Sequence, residues 1–247
     1  MKADDAILNV VKLKKSFGGI IAVKDLSFHL NDKEVLGLMG PNGAGKTTVF
    51  NLISGVYKPD FGAIKYKGKE IVGLPPHQIR RLGIARTYQI PQPFPRLTVF
   101  QNVFIAGIYG GNFNKVEAEK RTEEVLSLVG LSSRRDAVAG SLKLMDLKNL
   151  ELARALVSNP GLLLVDEVGA GLTDAEIPQL LKILKTINDM GVSIILIEHI
   201  PKLVVEAVDR LIIMSEGEKI ADGYPEEVMK DIRVIESYLG RETTKTE

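Results

Sequence analysis

The sequence predicts an α/β fold: a mostly parallel core sheet covered by helices, with an antiparallel β segment and an inserted helical part. Three observations lead there. Val35–Met39, Leu162–Val165 and Ser193–Ile197 are nearly unbroken apolar runs, as expected of strands buried on both faces. Stretches of helical periodicity, Lys46–Ser54 and Ile177–Met190, lie between them. The segment Ala63–Ile71 alternates about a Gly68-Lys69 turn, which reads as an antiparallel hairpin.

Taken in order, Ile7–Val11 and Ser27–Leu30 read as short alternating strands. The run Val35–Met39 leads directly into the loop Gly40-Pro41-Asn42-Gly43-Ala44-Gly45-Lys46-Thr47-Thr48, and Gly55 is placed to end the helix that follows. Ala85–Tyr88 is strand-like and leads, past Gln89, to Pro91-Gln92-Pro93-Phe94-Pro95, the densest proline cluster, read as a hinge or boundary. From there to about Val157 the pattern is mainly helical, with a charged face over Lys115–Lys120. After the next two buried strands, Leu211–Met214 opens a final hairpin through Glu216-Gly217-Glu218, and Glu226–Leu239 reads as helices. One domain over 1–247 is expected, with a nucleotide-binding core of about 1–91 and 158–225, a helical part of 92–157, and C-terminal helices and tail from 226 to 247.

A chain of 247 residues that is 45% hydrophobic can bury one substantial core. Its 32 Lys and Arg balance 31 Asp and Glu, so no broad nucleic-acid-binding face is expected. The basic clusters Lys12–Lys15 and Arg80-Arg81 are short and read as solvated surface. The absence of cysteine excludes disulfides, thiolate metal sites and a cysteine nucleophile. No apolar run approaches the roughly 18 residues needed to span a bilayer. Because Asn9 and Lys12 break the first apolar stretch, the N-terminus does not read as a secretion signal. The chain is therefore expected in the cytosol, reaching a membrane only through a partner.

The loop from Gly40 to Thr48 matches G-x-x-x-x-G-K-[ST], a pattern of moderate specificity that a preceding buried strand and a following helix sharpen. Glycines at 40, 43 and 45 let consecutive N–H groups turn toward phosphate oxygens, and the helix adds its positive N-terminal end. Lys46 is expected to reach the β- and γ-phosphates of ATP, and the Thr47 hydroxyl to ligate Mg²⁺. Asp166-Glu167 closes the second buried run, where open α/β sheets bind ligands. Alone, such a pair is usually a turn or helix cap. Beside a phosphate loop, Asp166 is expected in the Mg²⁺ shell and Glu167 as the general base on the attacking water. His199 follows the third run on the same edge and is read as a donor to the γ-phosphate or the water. His29 and His77 lack that context and read as structural. Gln89, at the hinge, could touch both the metal ion and the moving helical part.

Together these elements resemble the ATP-binding subunit of ABC transporters, in the order Walker A loop at 40–48, hinge glutamine Gln89, Leu150–Leu156, Asp166-Glu167 and His199. The resemblance covers essentially the whole chain. It implies a P-loop NTPase fold and ATP hydrolysis with Mg²⁺. It also gives Phe17, in Ser16-Phe17-Gly18-Gly19, the family role of stacking on adenine; otherwise Phe17 reads as core. Ala170–Thr173, Ile220–Val228 and the ending Val234–Gly240 look like importers of branched-chain amino acids and related amides, a pattern that lipopolysaccharide-export ATPases share in large part.

The implied partners are integral membrane permease subunits, a second ATPase subunit and, indirectly, a substrate-binding protein, with no nucleic acid. The implied location is the cytoplasmic face of the cell membrane. One segment departs from the family: where Leu-Ser-Gly-Gly-Gln is expected, this chain has Leu142-Lys143-Leu144-Met145-Asp146. Ser141 would align only with a shift of two residues, and Lys143 reads as a solvated lysine rather than a substitute charge. In the family each ATP sits between one chain's Walker A loop and the other's signature. The resemblance therefore implies a different partner chain and two unequal sites. The competing readings are a soluble ABC-type ATPase acting on nucleic acid or ribosomes, and a P-loop kinase. The first usually carries two such domains or a long coiled-coil insertion; the second has no use for Leu150–Leu156 or His199.

Overall fold

The computed structural model describes residues 6–239. Its larger sheet has six strands: β3 (Val35–Met39), β6 (Ile84–Arg86), β7 (Leu162–Asp166), β8 (Ser193–Ile197), β9 (Arg210–Ser215) and β10 (Glu218–Gly223). Their order is β10-β9-β3-β8-β7-β6, parallel throughout except for the β9–β10 hairpin. The smaller sheet is antiparallel, in the order β2-β1-β4-β5, from β1 (Ala6–Phe17), β2 (Ile20–Asn31), β4 (Phe61–Tyr66) and β5 (Lys69–Glu70).

Strand period explains how the unbroken apolar runs are used. Along β7, Leu163 and Val165 enter one core and Leu162 and Leu164 the other; along β8, Ile194 and Leu196 oppose Ile195 and Ile197. One core lies against α5 (Leu144–Leu156), α6 (Ile177–Asp189) and α7 (Pro201–Ala207). The other joins the large sheet to the small one and to α1 (Lys46–Ile53). The short helix α2 (Pro76–Leu82) leads into β6.

The first two strands are longer than the alternation suggests. Lys12 adopts a left-handed φ of 48° and Asp25 one of 46°, and the register slips between Val10 and Leu13. These bulges scramble the inward-outward alternation, so the parts of β1 and β2 nearest their shared turn do not read as strand. The C-terminal helical stretch divides into α8 (Pro225–Val228) and α9 (Ile232–Leu239), and Gly240 lies outside the described residues.

Between β6 and β7 come α3 (Val99–Gly110), α4 (Lys115–Leu128) and α5, which pack on one another. Two devices fix the start of α3. Thr98 and Gln101 form a reciprocal capping box, with Thr98 Oγ1 accepting from Gln101 N at 3.1 Å and Gln101 Oε1 accepting from Thr98 N at 2.9 Å. Asn102, fully buried, pins the end of the proline loop: Nδ2 donates to Phe94 O at 3.1 Å and Oδ1 accepts from Phe94 N at 2.8 Å. Thr98→Ala removes the first device. It is expected to cost about 1 kcal/mol, seen as a melting temperature about 2–4 °C lower by calorimetry.

Candidate functional site

The loop after β3 folds around its glycines. Gly40 has φ 149°, and a Cβ there would lie 2.0 Å from the Met214 carbonyl oxygen on β9. Gly45 has φ 102°, and its Cβ would lie 2.3 Å from the Ala22 carbonyl oxygen on β2. Both positions combine a left-handed backbone with a close backbone neighbour, so only glycine fits. The turn of the β9–β10 hairpin braces the loop from a third side, where Gly217 N donates to Ala44 O at 3.1 Å.

Gly45 also starts α1 without any side-chain cap, leaving the first N–H groups of the helix free to receive an anion. They face a cavity of about 300 Å³ lined by Asn42–Thr48 together with Ala22, Gln89 and Glu167. Lys46 is buried, and its Nζ donates to Gly40 O at 2.7 Å and Pro41 O at 3.0 Å. Burial lowers its pKa from the ordinary lysine value, and the carboxylates of Glu167 and Asp166 oppose that shift.

At the ends of β7 and β8 the structure brings together three residues distant in sequence. Glu167 Oε2 accepts from Gln89 Nε2, and Glu167 Oε1 lies 2.5 Å from His199 Nε2. With Glu167 ionised, the Nε2 of His199 must carry the proton of that contact. Glu167 is largely buried while His199 is more open to solvent. The base position sits in a left-handed backbone, φ 47°, uncommon for a residue other than glycine. Asp166 points elsewhere: Oδ2 accepts from Arg86 Nη2 at 2.9 Å, and Arg86 Nη1 donates to Asn51 Oδ1 at 2.6 Å. Burial raises the pKa of Asp166, and its bond to Arg86 counteracts the rise.

Phe17, at the end of β1, is 40% exposed and so is not core; it meets Tyr57 edge-on at 5.1 Å between centroids, with Lys15 Nζ 5.2 Å from its ring. Ser141 lies in a single 3₁₀ turn two residues ahead of Lys143, the N-cap of α5, and its hydroxyl donates to Val138 O at 2.8 Å. Of the departing segment, Met145 is buried in the core, while Asp146 sits in the first turn of α5 with Arg134 Nε 3.9 Å away. A carboxylate there sits at the positive N-terminal end of the helix, where negative charge is favourable.

Three residues near the site carry weak sequence signals: Arg86, Lys148 and Glu198. Lys148 and Glu198 are buried and the side chain of Arg86 nearly so, and each is a charged residue among or beside apolar ones.

A family model described as ABC transporter matches residues 23–170. The high-affinity branched-chain amino acid transport ATP-binding protein LivG of Salmonella typhimurium is 37% identical over 249 residues, covering 95% of this chain and 98% of the relative. The lipopolysaccharide export system ATP-binding protein LptB of Haemophilus influenzae is 32% identical, covering 96% and 98%. A solved ATP-binding cassette of an ABC transporter, in its ADP conformation, superposes with a TM-score of 0.88 at 30% identity, over 95% of this chain and 99% of the other.

Proposed function

The chain belongs to the ABC transporter family of ATP-binding proteins, and from that premise we propose that it drives import of branched-chain amino acids or related amides beside a second, different ATPase subunit. It is an ATPase that powers a membrane transporter, and its family implies membrane permease partners. Among the described residues no helix is long and apolar enough to cross a membrane; the proposal places the chain at the cytoplasmic face, held by those permeases. The observation that carries the hydrolytic reading is the convergence of Gln89 and His199 on Glu167 at the rim of the phosphate-loop cavity.

In this reading Gly40–Thr48 and the start of α1 bind the phosphates of ATP, and Lys46 turns from its two carbonyls to the β- and γ-phosphates. Glu167 takes the proton of the attacking water, and His199 and Gln89 aim its carboxylate. The exposed Phe17–Tyr57 pair supports a stacking place for adenine. The donor set fits magnesium: Thr47 and Gln89 line the cavity and offer hard oxygen atoms, and Asp166, near enough to Lys46 to act on its charge, has Oδ1 left over from its bond to Arg86. When bound there, the ion would neutralise charge on the β- and γ-phosphates.

The altered segment 142–146 supports unequal sites: it faces the partner's nucleotide in this family, so the deficit falls on the partner's site. Import of branched-chain amino acids is favoured over lipopolysaccharide export by the higher identity to the import relative, 37% against 32%. Such an importer would take its substrate from a substrate-binding protein.

The test is to purify the membrane complex through a tag on this chain, identify its subunits, and reconstitute it in vesicles supplied with ATP. Two distinct ATPase chains with permeases, and leucine or valine uptake once the cognate binding protein is added, are the expected results. A complex holding two copies of this chain at full ATPase activity would overturn the unequal pair. Failure to transport any branched-chain amino acid or amide would overturn the substrate.

A further inference from the structure

Lys148 and Glu198 are charged, almost fully buried (4% and 1% exposed), and play no part in the scheme above. Lys148 lies in the second turn of α5, just past the departing segment, and its Nζ donates to the main-chain oxygen of Glu167 at 3.1 Å. Glu198 lies between β8 and His199. Its carboxylate accepts from Gly169 N at 2.5 Å and from His199 N at 3.3 Å. Each charge opposes the shift that burial imposes on the other.

Buried charges are rare unless paired and hydrogen-bonded, and each bond here ends on the backbone beside a member of the Gln89–Glu167–His199 group. The left-handed backbone at Glu167 gives those bonds a purpose. A non-glycine residue persists there only where its surroundings over-determine it. Glu167 N donates to Ile197 O at 2.9 Å, and Glu167 O accepts from Ala170 N at 3.2 Å and from Lys148. Among the described residues, the Lys148 bond is the one contribution to that backbone frame from outside the ends of β7 and β8.

We infer that Lys148 and Glu198 are positioning residues for ATP hydrolysis: Lys148 holds the Glu167 peptide so that its carboxylate faces the nucleotide, and Glu198 balances that charge while fixing His199 and the turn after Glu167. Because Lys148 belongs to α5, the orientation of the base follows the placement of that helix. The inference rests on Glu167 being the base.

The test compares variants in the complex purified through a tag on this chain. Lys148→Met keeps length and bulk, and is expected to lower kcat roughly 10- to 100-fold, the scale of a misplaced catalytic group. KM for ATP should stay within about twofold, since positioning a base adds little to ground-state binding. Lys148→Arg should recover most of the rate. Because the two residues act as a unit, Lys148→Met combined with Glu198→Gln should lose no more than Lys148→Met alone. Wild-type kcat in Lys148→Met overturns the inference, as do multiplying losses in the double variant or a rate that merely follows melting temperature across the series. Glu167→Gln separates the two levels. If it turns over ATP normally, the base assignment itself fails; if it is inactive while Lys148→Met is unaffected, only the positioning role fails.

Discussion

Glu167→Gln is expected to cut ATP turnover by roughly 10²–10⁴-fold, the range for loss of a general base, while nucleotide affinity stays within a few-fold. The amide keeps the shape of the side chain and one of its two oxygens, so Gln89 or His199 retains a partner. What disappears is the ability to take a proton from water. The side chain is mostly buried, and the neighbouring carboxylate of Glu198 is held by Gly169 N. Asp166, the adjacent acid, is committed to Arg86. Single-turnover hydrolysis alongside a nucleotide-binding titration reads both quantities, and turnover within threefold of wild type would remove Glu167 from the mechanism.

Lys46→Met is expected to act one step earlier, on binding. Its ammonium occupies the centre of the loop, bonded to the carbonyls of Gly40 and Pro41. Two charge-assisted contacts to phosphate, at about 1.5–3 kcal/mol each, correspond to a loss of roughly 10²–10⁴ in ATP affinity. The fold should tolerate the change, because methionine fills the space and removes a buried charge that burial already disfavours. Isothermal titration with ATP and magnesium checks the affinity, and an unchanged Kd would show that the backbone cradle suffices without the ammonium.

The fold was legible where burial is uniform. β3, β7 and β8 are apolar on both faces, so their sequence carries no competing signal, and the loop after β3 follows a spacing that few other structures need. Legibility fell where the chain meets water. The outer halves of β1 and β2 carry Lys12, Lys14, Lys15 and Asp25 on exposed or bulged positions, and their alternation fails there. The residues of the site that belong to strand ends were readable because strand termini are located by the apolar runs themselves. Arg86, Lys148 and Glu198 were not, since their purpose depends on a partner brought from far along the chain: Asp166 for Arg86 and the Glu167 peptide for Lys148. A single sequence records residue type but not which distant backbone group needs a donor.

The phosphate loop also has a thermodynamic consequence. Through Gly45 it abuts Ala22 of the small sheet, through Gly40 it abuts Met214 of the large one, and Gly217 bonds to it from the terminal hairpin. It is a seam between layers that are also joined by apolar packing and by polar links such as Lys24 N to Gly217 O and Arg210 Nη1 to His29 O. A ligand held by that seam binds only the state in which both sheets are seated, so its binding free energy is shared with folding. At a concentration of one hundred times Kd this linkage is worth about 2.7 kcal/mol. Nucleotide is in that sense a structural component as well as a fuel, and each loss of nucleotide returns the two sheets to the stability of their own packing.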